Sequence, residues 1–181
     1  IPSFMAAKMQ PWYLSLTLAI PTCAIQEMIS GVSGLDKMIT QDAIDAGIPM
    51  QAVEPVMTLF DLFDGQTIEE QIDMLRVNML APDLQQQMFV SMLDLYFAED
   101  VGRLWDMSRI AIADMPELDP AEGMAMFDEM QDALLDSRNR NWIPVITKAT
   151  EDHDNIIIAV GAAHLIGDQG ILQLFENEGW T

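Results

Sequence analysis

His164 is the residue whose type and setting point most directly to chemistry. It stands three positions after Gly161, and the run from Ile156 to Val160 before it is continuously apolar. An unbroken, largely β-branched run of that length reads as a buried parallel strand. Gly161 permits a sharp exit from it. His164 then falls just past the strand's carboxyl end, where open α/β sheets place their ligands. A neutral imidazole there can bind a divalent metal or shuttle a proton. The plainer reading is a core histidine bonded to a backbone carbonyl, and Gly-x-x-His alone does not decide between the two. The only other histidine, His153, lies in the polar stretch 151–155.

Glu54 ends a second short strand candidate, Pro49 to Val53. Two strand ends on one sheet edge can aim their side chains into one crevice. A carboxylate there can ligate a metal or act as a general base on water. The alternative is an acid that satisfies free N–H groups at the start of the next helix. Arg138 and Asn139 lie on a helix whose apolar face carries Phe127, Met130 and Leu134, with Trp142 one turn beyond Arg138 on the same side. Arginine can clamp a carboxylate or stabilise an oxyanion. On so acidic a chain it can equally be one half of an ion pair.

Several reaction types lack their motifs. There is no His-Glu-x-x-His, no Gly-x-Ser-x-Gly and no Walker loop. His164 and Glu54 alone do not complete a metal site, because catalytic zinc takes three protein ligands as a rule.

The elements that must position these residues are mostly helical in pattern. Met5 to Ser30 reads as helix broken near Pro11 and Pro21. Leu35, Met38, Ile39, Ala43 and Ala46 share a helical face that Gly47 terminates. Pro55 suits the start of a helix over 56–63. Thr67 with Glu69 and Glu70 marks a helix start whose apolar face is Ile68, Ile72, Leu75 and Met79. Pro82 opens another helix, through Leu84, Met88, Met92 and Leu95. Asp100 is placed to cap a helix through Leu104, Trp105, Ser108 and Ile112. A turn over 115–120 leads into the helix of Arg138. The expected fold class is therefore α/β: a short parallel sheet with a helical insertion over approximately 64–120.

Composition bounds the rest. At 181 residues, one domain is expected. Eight Lys and Arg against 29 Asp and Glu leave a net charge of −21, which repels phosphate backbones and argues against nucleic-acid binding. The single cysteine, Cys23, cannot form an intramolecular disulfide. The apolar run 14–25 contains Ser15, Thr17, Pro21 and Thr22 and is short for a membrane span. The 15 methionines read as core filler at helical spacing.

Three blocks carry a resemblance. They are Val160-Gly161-Ala162-Ala163-His164-Leu165-Ile166-Gly167-Asp168-Gln169-Gly170, continuing to Gly179-Trp180; Leu134-Leu135-Asp136-Ser137-Arg138-Asn139-Arg140-Asn141-Trp142; and Gly31 to Met38 followed by Ala46 to Glu54. In order and spacing they resemble the TraB/GumN family, which includes TIKI-type metalloproteases. Pro55 stands where that family usually has a small residue. The resemblance implies an EreA/ChaN-like α/β fold with a helical subdomain. It also implies a divalent metal cofactor, with His164 and Glu54 as ligands and Arg138 and Asn139 completing a catalytic set.

The family normally carries an earlier Gly-x-x-His as well, which this sequence lacks. The expectation is a single domain over 1–181 without its amino-terminal strands, the C-terminal part of a longer protein, inactive alone. The function expected is a metal-dependent, peptidase-like hydrolase of a peptide or small molecule. The alternative is a non-enzymatic binding or regulatory domain linked to pheromone shutdown or polysaccharide synthesis. An extracytoplasmic or membrane-associated location is compatible with the resemblance.

Overall fold

The computed structural model describes residues 2–21, 24–25, 29–31, 34–80, 82–113 and 119–180, and every regular element among them is helical. The expected parallel sheet is absent among the described residues, so the α/β expectation is corrected to an all-helical one. The reason lies in the backbone. Residues 49–53 and 156–160 form no regular element, and no ladder of backbone hydrogen bonds joins either to a neighbour. An extended segment becomes a strand only when its N–H and C=O groups find such a partner. Nor is the 156–160 run buried on both faces: Ile156 and Val160 pack inward, whereas Ile157 is 87% exposed. Cys23, Val32, Ser33 and most of the turn expected over 115–120 lie outside the described residues.

The chain forms two compact units. The first comprises residues 1–52 and 56–91. It holds α1 (Ser3–Ala6), α2 (Pro11–Leu18), α3 (Leu35–Asp45), α4 (Met57–Asp64), α5 (Ile68–Leu80) and the start of α6 (Pro82–Phe97). Pro11 occupies the first turn of α2, where its missing N–H costs no bond. Trp12 is buried, stacked on Phe63 with ring centroids 5.4 Å apart. At the start of α5, Glu70 accepts from the backbone N–H of Thr67 at 2.7 Å, and the Glu70 N–H reaches Thr67 Oγ1 at 3.3 Å. That reciprocal pair is a capping box. No helix among the described residues is long and apolar enough to cross a membrane.

The second unit comprises residues 53–55 and 92–181. It holds the end of α6, then α7 (Val101–Ala113), α8 (Pro120–Gln131), a π-helical segment (Asp132–Asp136), α9 (Ser137–Asp152), a 3₁₀ turn (Ala162–His164) and α10 (Ile171–Asn177). Asp100 caps α7 through the Arg103 N–H, and Asp119 caps α8 through those of Ala121 and Glu122. Phe127 of α8 is 1% exposed and packs against Trp105 of α7, ring centroids 5.3 Å apart. The core is Trp142, Ile143 and Ile146 of α9 with Ile171 of α10. Val53, Ile156, Val160, Leu174 and Phe175 pack around it. Each of the buried isoleucines Ile143, Ile146 and Ile171 contributes roughly 1.5–3 kcal/mol through removal from water. Ile146→Ala would remove one and leave a cavity, at about 3 kcal/mol.

Candidate functional site

Residues 120–152 run as one helix with a wide π turn immediately before Arg138 and Asn139. Such turns recur at functional sites, because they shift the register of the side chains that follow. Beyond the π turn, the inward face of α9 presents Arg138, Asn139 and Trp142, then Ile143 and Ile146.

Arg138 and Trp142 meet Glu54. The Arg138 Nε–H donates to both Glu54 carboxylate oxygens, at 3.2 and 3.1 Å, and Nη2 donates to Oε1. The indole Nε1–H of Trp142 donates to Oε2 at 3.0 Å. Arg138 Nη1 turns back to the Leu134 carbonyl at 2.6 Å, and the guanidinium carbon lies 5.0 Å from the Trp142 ring centroid. The Arg138 and Glu54 side chains retain only 12% and 18% exposure, so this is a largely desolvated, fork-on-carboxylate pair. Burial alone would raise the Glu54 pKa. The hydrogen bonds from Arg138 and Trp142, together with the guanidinium charge, outweigh it and hold the carboxyl below its ordinary value.

His164 packs against Trp142, the two ring centroids 4.4 Å apart. His164 is 8% exposed, and its Nδ1 is 2.7 Å from Oδ1 of Asn139. Burial chiefly, then the charge of Arg138, depress the imidazole pKa to about 4, with Glu54 opposing. His164 is therefore neutral at pH 7. Among the described residues Nε2 makes no hydrogen bond. The Asn139 Nδ2 group donates to the backbone carbonyls of His164 at 3.3 Å and Gln169 at 2.8 Å.

The loop after His164 presents those carbonyls. Gly167 has φ +80°, a left-handed conformation glycine adopts without strain. The Gly170 N–H closes the turn on the Gly167 carbonyl at 2.9 Å. A Cβ on Gly170 would sit 2.3 Å from the Ile166 carbonyl oxygen, so the turn closes only around glycine. Arg140 pins the same loop through the Gln169 side chain at 3.0 Å. Gly161 is different. Its φ of −59° suits any residue, and an added Cβ would meet His164 Cδ2 at an ordinary 3.6 Å. The sharp exit expected of Gly161 is therefore not what its backbone shows.

All four residues singled out in the sequence, Glu54, Arg138, Asn139 and His164, lie in the second unit. Arg138 and Glu54 bond directly, as do Asn139 and His164. Trp142 links the two pairs, touching Glu54 by its N–H and His164 by its ring face. Sequence reasoning placed Trp142 beside Arg138 but gave it no part in the site. The i, i+4 spacing was the available signal. Gln169 was missed as well, and its signal was the turn signature Gly167-Asp168-Gln169-Gly170.

The donor set fits a divalent ion at one position. His164 Nε2 is neutral and uncommitted. Both Glu54 oxygens are already held by cationic or N–H donors, and a metal ion bound there would sit beside the Arg138 charge. Among the described residues no group of three or more His, Cys, Asp or Glu is arranged to hold a metal. One donor fits; a complete set does not.

The second unit thus pairs a buried Gly-x-x-His turn with an Arg-Asn helix and a glutamate clamp. The TraB/PrgY/gumN family description matches residues 1–181, and the chain belongs to that family. No curated protein and no solved structure matches it.

Proposed function

We propose that this protein is a hydrolase acting on peptide-like substrates, with His164 as its reactive side chain and Arg138 as the positive group beside it. The observation that supports this most is the joining of two perturbed groups, Glu54 and His164, through Arg138 and Trp142 in one half-buried cluster. Strongly shifted side chains with a specific charge partner concentrate at functional sites. A histidine that stays neutral down to about pH 4 is a weak proton acceptor at pH 7. It is, however, always available as a ligand through Nε2. The metal dependence that family resemblance implies rests on ligands these residues do not supply, so no step is assigned to a metal. Arg138, held by Glu54, contributes positive charge where a scissile carbonyl or a substrate carboxylate can use it.

A non-enzymatic binding domain is the second reading. The closed Glu54–Arg138–Trp142 network favours it, since groups that satisfy each other hold a fold together without any substrate.

The test is cleavage of a quenched fluorescent peptide library, with Mn²⁺, Co²⁺ or Zn²⁺ added in turn. The samples are the protein isolated from its native source, at whatever length it is made there, and this 181-residue chain. Turnover by the native protein is expected under at least one of these conditions. No turnover by the native protein under any of these conditions would leave the binding reading in place.

A further inference from the structure

We infer that Asn139 is a positioning residue: its carboxamide holds His164 in the tautomer protonated on Nδ1 and so leaves the Nε2 lone pair facing outward. The inference rests on the reading of His164 as the reactive side chain, and it gives Asn139 a specific duty within it. Asn139 is 1% exposed, so it is sealed away from any substrate and acts only through what it touches.

Its orientation follows from its neighbours. One end of the carboxamide faces two backbone carbonyl oxygens, those of His164 at 3.3 Å and Gln169 at 2.8 Å. Carbonyl oxygens only accept, so the end facing them is the NH₂ group. Turning the amide over would set its oxygen against two acceptors in a buried place and forfeit both bonds. Oδ1 therefore faces His164 Nδ1, 2.7 Å away. An amide oxygen only accepts, so Nδ1 must carry the hydrogen. A neutral imidazole has one N–H, and the lone pair is left on Nε2.

This arrangement reverses an intrinsic preference. Free neutral histidine in water favours the hydrogen on Nε2. An imidazole with Nε2–H can neither ligate a cation nor accept a proton at that atom. Asn139 supplies the acceptor that moves the hydrogen, and Trp142 lies against the ring at 4.4 Å and limits its rotation. The rest of the duty falls to the loop. Gly167 and Gly170 make the turn that aims the Gln169 carbonyl at Nδ2, and that contact keeps the amide from flipping. The conformation of a surface turn thus reaches the histidine through one buried side chain.

The experiment is two-bond ¹H–¹⁵N NMR on the full 181-residue chain with labelled histidine at pH 7. There are two histidines, and His153→Gln assigns the second set of signals to His164. The expected result for His164 is a pyrrole-type Nδ1 and a pyridine-type Nε2. In Asn139→Ala that pattern is lost, through reversal or averaging of the two shifts. Should Asn139→Ala fail to fold, the parent spectrum still decides. Nε2–H, or both nitrogens protonated, in the parent chain would overturn the inference, as would an unchanged pattern in a folded Asn139→Ala. The readout does not involve hydrolysis. An Nδ1–H tautomer in a protein that cleaves nothing refutes the hydrolase reading and leaves the positioning role intact.

Discussion

The Arg138 guanidinium grips the Glu54 carboxylate through Nε and Nη2, across 84 residues of chain, while Trp142 donates to the same carboxylate. This contact ties the segment 53–55 to α9. Removing one partner strands the other in a place with little water. Glu54→Gln is expected to lower unfolding stability by about 3 kcal/mol. Replacing both partners together, Glu54→Leu with Arg138→Met, should cost less than the sum of the single changes. Urea unfolding midpoints of the parent, Glu54→Gln, Glu54→Leu, Arg138→Met and the double variant check this. Additive losses would show that the two side chains do not act as a pair.

Two glycines in the same signature should respond in opposite ways. At Gly170 an added methyl group meets the Ile166 carbonyl oxygen at 2.3 Å, and the turn must open. Gly170→Ala should cost about 3 kcal/mol and pull the Gln169 carbonyl away from Asn139. At Gly161 the backbone is ordinary and the methyl group meets only His164 Cδ2, at 3.6 Å. Gly161→Ala should leave stability unchanged or raise it by roughly 0.5 kcal/mol. Because Cδ2 adjoins Nε2, the same change should reduce activity by narrowing the approach to that nitrogen. Thermal melts and peptide cleavage measured on both variants test the contrast. Equal melting losses at the two positions would contradict it.

Acid should destabilise the fold through His164. Its pKa is about 4 in the folded chain against 6.5 for the ordinary side chain, so the unfolded chain binds the proton more tightly. The stability it contributes is complete above pH 6.5 and is lost as pH falls toward 4. At 1.36 kcal/mol per pKa unit the full loss is roughly 3 kcal/mol. The depressed Glu54 carboxyl adds its own loss only below its ordinary value of 4.5. His164→Gln should therefore flatten the dependence of the urea midpoint between pH 7 and pH 5. A variant as acid-sensitive as the parent would remove His164 from this role.

Local signals were legible in the sequence where they depend on a few adjacent residues. Thr67 with Glu70 forms the cap expected at the start of α5, Asp100 caps α7, and Gly47 ends α3 with φ +67°. The pairing of Arg138 with a carboxylate was among the readings of that residue. The absence of a sheet among the described residues was not legible, because hydrophobic runs report burial and β-propensity but not the partner that completes a ladder. Ile157 illustrates this, as it belongs to an apolar run yet is 87% exposed. The π turn at Asp132–Asp136 was also hidden, since a fixed helical period assumes no inserted residue. The part played by Asn139 depends on carbonyls 25 and 30 residues away, which no local pattern encodes.

The central claim is that His164 carries the chemistry of this protein. Its most direct test is the initial rate of peptide cleavage by the native-source protein and by its His164→Gln variant, compared at a temperature where both are folded. The account predicts a loss of about 10²-fold or more, the size expected when a group that acts directly in the reaction is removed. Cleavage by the variant at the parent rate would contradict it.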